Sequence, residues 1–166
     1  GNGKFVTVGR YGGSYSTYRL ISSDGVSWSI QADSDVGHNT VEFVNNRFIN
    51  IGVDDGTHSS SDSTTWEEVT PKLLTATTIY SVDYANGTYV FGGGAVGTGH
   101  TSGYVWVTAD FKDWWQQRLN SETNGGISSL AHSSTGFVGV ADSGLIYYSA
   151  FSSASSAPQF SSSRTI

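Results

Sequence analysis

Four histidines, His38, His58, His100 and His132, stand near serine and aspartate in separate stretches of the chain. A histidine beside a hydroxyl and a carboxylate is the raw material of nucleophilic catalysis. No Gly-x-Ser-x-Gly elbow and no His-Glu-x-x-His run places these four for chemistry, so they read as scattered loop residues. The glycine-rich stretch 92–99 would suit a phosphate cradle, but no lysine follows and no helical pattern begins there. It reads as a flexible interstrand loop. Asp33-Ser34-Asp35 and Asp54-Asp55-Gly56 offer carboxylates to Ca²⁺ without the oxygen-ligand spacing of an EF loop, and read as solvated turns. Neither a cofactor nor a metal is expected.

Aromatic residues are the better candidates for contact chemistry. Trp115 directly follows Trp114, and adjacent side chains of a strand point to opposite faces, so the two cannot fill one packing slot. Tyr11, Tyr15 and Tyr18 crowd a Gly/Ser loop, where an interior place for all three is hard to arrange. Tyr147 and Tyr148 pose the same problem. Aromatic faces near Asn, Gln and Ser suit sugars or protein partners, because they bury area at little entropic cost while amides set orientation. Trp115, Tyr11, Tyr15, Tyr18 and Trp106 are accordingly the expected ligand contacts.

The surroundings that must hold these residues are β-structure. Gly, Ser, Thr, Asn and aromatics abound and helix formers are scarce. At 166 residues, one compact unit is the default. The formal charge is −6 with 8 Lys+Arg, which denies nucleic acid its main electrostatic term and an anionic membrane its attraction. No run approaches the roughly 20 apolar residues that cross a bilayer, and no signal peptide precedes Gly1. Without an initiator Met, the chain reads as a mature product or a fragment. The absence of Cys excludes disulfides and thiolate metal sites.

Internal repetition organises the whole chain. Ser22-Ser23-Asp24-Gly25-Val26-Ser27-Trp28, Ser60-Ser61-Asp62-Ser63-Thr64-Thr65-Trp66 and Thr108-Ala109-Asp110-Phe111-Lys112-Asp113-Trp114 share the form Ser/Thr-x-Asp-x-x-x-Trp, with the Asp recurring after 38 and 48 positions. A second pattern, aromatic-β-x-β-small, begins at Phe5, Phe48, Tyr89 and Phe137, at intervals of 43, 41 and 48. Those intervals fall in the range of a propeller blade, about 40 to 50 residues. Val41-Glu42-Phe43-Val44 leads through Asn45-Asn46 into Phe48, and Ser81-Val82-Asp83-Tyr84 leads through Asn86-Gly87 into Tyr89; an Asn-Gly pair between apolar runs is a hairpin signal. Tyr104-Val105-Trp106-Val107-Thr108 is a third strand, and the Asp motif turns the chain into a fourth that carries the Trp. The expectation is an all-β, β-propeller-like fold with four repeats of an antiparallel meander over residues 1–151.

Two irregularities stand out. The chain opens at the Asn2-Gly3 turn without the strand that precedes this turn in other copies, and the fourth copy has Ala150 where the others carry Asp. The Ser-rich tail 152–166 reads as a linker or, through Gln159-Phe160-Ser161, as a ring-closing strand beside Phe5. Otherwise the chain belongs to a larger ring, or several chains assemble one.

The Ser-x-Asp segments resemble the Asp-box, or BNR repeat, of sialidases and of many secreted or phage-encoded β-propellers. The family pattern is Ser-x-Asp-x-Gly-x-Thr-Trp; here one residue fewer separates Asp from Trp, and only the first copy has a nearby Gly. The resemblance implies a hairpin element on the blade periphery, with Asp24, Asp62 and Asp110 bonding turn amides and Trp28, Trp66 and Trp114 packing across the hairpin. A short carboxylate at a turn does accept local N–H groups. The resemblance also raises sialidase activity, which needs three Arg on a sugar carboxylate, a Tyr nucleophile and an acid/base Asp. Arg10, Arg19, Arg47, Arg118 and Arg164 are available. However, the Arg-Ile-Pro type of motif is absent, Arg19-Leu20-Ile21 being the nearest string, and four blades fall short of the family's six.

The expected function is therefore non-catalytic recognition of a glycan or cell-surface receptor, at a virion surface or outside a cell, with a homo-oligomer as a possible assembly. The alternatives are a structural protein of a virion, fibre or surface layer, and a sialidase-type glycoside hydrolase.

Overall fold

The computed structural model describes residues 1–10, 17–33, 37–53, 56–69, 77–95, 102–119, 126–141, 144–151 and 157–163. Among these residues there are fifteen strands and no helix. The strands form four open antiparallel sheets, each with its strands in chain order. The first holds β1 (Phe5–Arg10), β2 (Thr17–Ser22) and β3 (Ser29–Asp33). The second holds β4 (Gly37–Val44), β5 (Arg47–Val53), β6 (His58–Ser60) and β7 (Glu67–Glu68). The third holds β8 (Thr77–Ala85), β9 (Thr88–Ala95), β10 (Gly103–Thr108) and β11 (Trp115–Arg118). The fourth holds β12 (Ile127–His132), β13 (Gly136–Ala141), β14 (Ile146–Ala150) and β15 (Ser161–Ser163). The chain divides into two compact units, Gly1–Thr70 with the first two sheets and Pro71–Ile166 with the last two.

Turn chemistry sets the register of the second and third sheets. Asn45 and Asn46 take φ of 49° and 57°, and Asn86 and Gly87 take 50° and 77°, as the two central residues of a type I′ hairpin require. Those turns bring Phe43 opposite Phe48 and Tyr84 opposite Tyr89. The first strand of the second, third and fourth sheets carries a register shift at the same place, between His38 and Thr40, Ile79 and Ser81, and Ile127 and Ser129. The repeat therefore extends to an irregularity that a simple alternation pattern does not register.

The glycines at 92–94 belong to β9, not to a flexible loop. Strand β12 packs against β8 and β9, and a Cβ on Gly92 would lie 2.6 Å from Cγ2 of Ile127. Only a residue without a side chain lets the sheets come that close. Ile127 thereby joins Val90, Val105, Val107, Leu119 and Phe137 in the buried core of the second unit. In the first unit Phe48, Ile49 and Ile51 are the buried counterparts.

The tail adds a strand to the second unit. Ser161–Ser163 pairs with Ile146, Tyr147 and Tyr148 as the outer strand of the fourth sheet. A bidentate side-chain clamp holds it: Gln117 donates from Nε2 to the Phe160 carbonyl at 2.9 Å and accepts the Phe160 amide on Oε1 at 2.8 Å. The amide of Gln117 thus imitates a neighbouring backbone, and the Phe160 ring enters the core.

Candidate functional site

Three Asp turns share one hydrogen-bond plan. In the first, the Ser22 hydroxyl donates to Asp24 Oδ1 at 2.9 Å and accepts the amides of Asp24 and Gly25, while Asp24 Oδ1 accepts those of Val26 and Ser27 at 2.8 and 2.7 Å. Ser60 and Asp62 repeat the plan with Ser63, Thr64 and Thr65. Thr108 and Asp110 do so with Phe111, Lys112 and Asp113. The residue after each Asp is left-handed, with φ of 76° at Gly25, 69° at Ser63 and 63° at Phe111. Amide donation from Val26 and Ser27 holds the Asp24 carboxyl well below the usual carboxylate range. Thr65 and Thr64 do the same to Asp62, and Lys112 and Asp113 to Asp110.

The tryptophans close two of these turns from outside. Trp66 Nε1 donates to the Ser63 carbonyl and Trp114 Nε1 to that of Phe111, and the Trp114 ring lies 5.3 Å from that of Phe91. Trp66 also carries the buried Arg19 guanidinium 4.3 Å above its ring, a cation–π contact between the first two sheets.

The fourth sheet lacks this turn, and strand register shows what replaced it. Phe5, Phe48 and Tyr89 face Ser22, Ser60 and Thr108, and Phe137 faces Ser149 in the same way. Two residues on from Ser149, the Asp position is held by Phe151 rather than by Ala150. The Ser149 hydroxyl is buried without a hydrogen-bond partner, since the carboxylate that receives it elsewhere is gone. Phe151 instead lays its ring at 88° to that of Phe137, 5.3 Å away.

A groove of about 500 Å³ lies where the pattern breaks, with Trp114, Trp115, Phe151, Pro158, Asn86, Thr108 and Asp113 among its lining. Trp115 is half-buried and packs against the core. The site thus combines aromatic surface with amide, hydroxyl and carboxylate groups. Phe151, Asn86, Asp113 and Pro158 were not singled out from sequence as contacts; aligning the fourth copy on Phe137 and Ser149 would have reached Phe151.

The other expected contacts are dispersed. Trp106 is fully buried, stacked 5.7 Å from Tyr104. Tyr18 is half-buried on β2. Tyr11 and Tyr15 lie outside the described residues. Tyr147 is buried, which pushes its phenol up, while Tyr148 is exposed. His132 holds Asp83 at 2.8 Å and so ties β12 to β8. His100, Asp54 and Asp55 lie outside the described residues. No three His, Asp or Glu among the described residues gather as a metal site. Arg47 bonds Ser59 and meets Glu67, and Arg118 bonds Ser102, each within its own sheet or its flanking residues.

No family model matches the chain. No curated protein is similar to it in sequence.

Proposed function

We propose that the chain is a non-catalytic recognition module that binds a glycan or a glycan-bearing surface receptor through the groove beside Trp115. The observation that carries this reading is the coincidence of Trp114, Trp115 and Phe151 with Asn86, Thr108 and Asp113 around one open space. Apolar sugar faces stack on aromatic rings, while amide, hydroxyl and carboxylate groups orient the sugar hydroxyls. The groove lies at the repeat that carries Phe151 where the other copies carry Asp. Each sheet has the in-order meander of a propeller blade, and the Asp turns have the hydrogen bonding expected of an Asp-box; both support membership in that class of repeat protein, at a virion or cell exterior.

An assembly role is the second reading. It is favoured by the exposed apolar side chains of the first sheet, Phe5, Val26, Trp28 and Ile30.

Glycan-array binding and thermal melts of wild type and Trp115→Ala separate these readings. Loss of about 1 to 3 kcal/mol of binding with a modest change in melting is expected if Trp115 is a contact. A variant that loses about 3 to 5 kcal/mol of stability instead, beside a wild type with no glycan signal, would replace recognition by a packing role.

A further inference from the structure

The groove at Trp115 adjoins a second open space. A basin of about 570 Å³ has Tyr84, His132, Ser133 and Ser134 in its lining, and it shares Ala85, Asn86 and Phe151 with the groove of about 500 Å³. Each alone has the size of a small-ligand site, about 300 to 1,000 Å³, so the two in tandem have room for more than one ligand unit. Backbone structure holds the residues they share. Asn86 is a central residue of the turn between β8 and β9, at φ of 50°, and the Phe151 amide donates to the Thr135 carbonyl at 2.9 Å. The imidazole in the second basin is anchored as well. His132 Nδ1 lies 2.8 Å from Asp83 Oδ2, while Asp83 Oδ1 accepts the Tyr84 amide at 2.8 Å. Nε2 is therefore the ring nitrogen left for a ligand hydroxyl.

Charge narrows the ligand further. Among the described residues that line the two spaces there is no Lys or Arg, whereas Asp113 brings a carboxylate. Acidic sugars are gripped by the guanidinium fork of Arg. Here an acidic sugar would instead meet Asp113, on a chain of formal charge −6. Building on the reading of the groove as a glycan site, we propose that its ligand is a neutral linear oligosaccharide, with one unit in the groove at Trp115 and the chain continuing past Asn86 and Phe151 into the basin at His132. Trp114 and Trp115 offer aromatic surface to the first unit and Asp113 accepts from its hydroxyls. Tyr84, His132 and the two serines serve the units that follow.

The test is calorimetric titration of the intact chain with neutral cello-, xylo- and N-acetylated chito-oligosaccharides, each from monosaccharide to hexasaccharide, beside oligogalacturonate and sialyllactose as acidic probes. In at least one neutral series affinity is expected to rise with length by roughly tenfold, the weight of one further aromatic contact, and then to level off. The acidic probes should bind more weakly than neutral ones of the same length. In NMR spectra of the wild type, short members should shift amides around Trp115, and only longer members should also shift His132–Ser134. Trp115→Ala should weaken binding of every length. Tyr84→Leu, which keeps an apolar side chain against Tyr89, 4.6 Å away between ring centroids in the wild type, should weaken only the longer members; thermal melts of both variants check their folding. Affinity independent of length, bound oligosaccharides that leave His132–Ser134 unshifted, or a preference for the acidic probes would overturn the proposal while glycan recognition stands. Absence of binding by every saccharide, neutral or acidic, on a broad array would overturn the glycan reading and the proposal with it.

Discussion

Removal of the tail clamp is the sharpest test of how the second unit is held together. Phe160 is 6% exposed and its ring lies 6.5 Å from that of Phe137 within the core. Truncating a buried Phe to Ala costs about 3 to 5 kcal/mol, from lost transfer energy and the cavity left behind. Gln117 contributes two hydrogen bonds to the Phe160 backbone; at about 0.5 to 1.5 kcal/mol each, Gln117→Ala should cost about 1 to 3 kcal/mol. Deleting residues 152–166 removes the ring, the clamp and β15 together, and exposes the β14 edge. In urea, where small proteins unfold with slopes of about 1 to 3 kcal/mol/M, a loss of about 3 kcal/mol lowers the midpoint by roughly 1 to 3 M. Equilibrium unfolding of wild type, Gln117→Ala, the tail deletion and the combination closes a thermodynamic cycle. If the reasoning holds, Gln117→Ala is nearly silent once the tail is gone. An equal cost of Gln117→Ala with and without the tail would refute it, as would an unchanged midpoint on deletion.

Three further outcomes are expected. The carboxyls of Asp24 and Asp62 sit below their unfolded values, so their stabilisation is complete above about pH 4 and is lost as pH falls below it. Asp62→Ala should lower the melting temperature at pH 7 and flatten the acid limb of a melting-temperature profile, while binding per folded molecule persists. Ser149→Ala removes a buried hydroxyl that has no partner, so it should be neutral or stabilising by up to about 1 kcal/mol, whereas Ser60→Ala, which breaks a satisfied turn, should destabilise in the same melts. Gly92→Ala would press a methyl into Ile127 and should cost about 1 to 3 kcal/mol, measured by urea unfolding.

Local chemistry was legible in the sequence wherever it acted over a few residues. Asn45-Asn46 and Asn86-Gly87 announce hairpins because few residues tolerate positive φ at both central positions. The Ser/Thr-x-Asp spacing announces the capped turns because the hydroxyl and carboxylate reach only amides two or three residues ahead. Those two signals, recurring along the chain, were enough to recover an all-β chain of four repeated sheets and most of its strands. Trp115 stood out by the same kind of argument, since the neighbouring Trp114 already had a place.

What escaped the sequence depended on residues far apart in the chain. Glycines 92–94 look like a loop until the pairing of β9 with β8 and β10 is seen, and Trp106 looks available until the burial of its side chain is seen. The tail's partner could not be read from its serines, because the decisive groups are the Gln117 amide and a core pocket for Phe160. Phe151 took its meaning only from the pairing of Phe137 with Ser149, which also located the groove. Sequence determined the turns and the period because both are set by short-range backbone preference. Tertiary structure alone decided which strand edges, cavities and aromatic faces remained open, because these depend on how closely one sheet can approach the next.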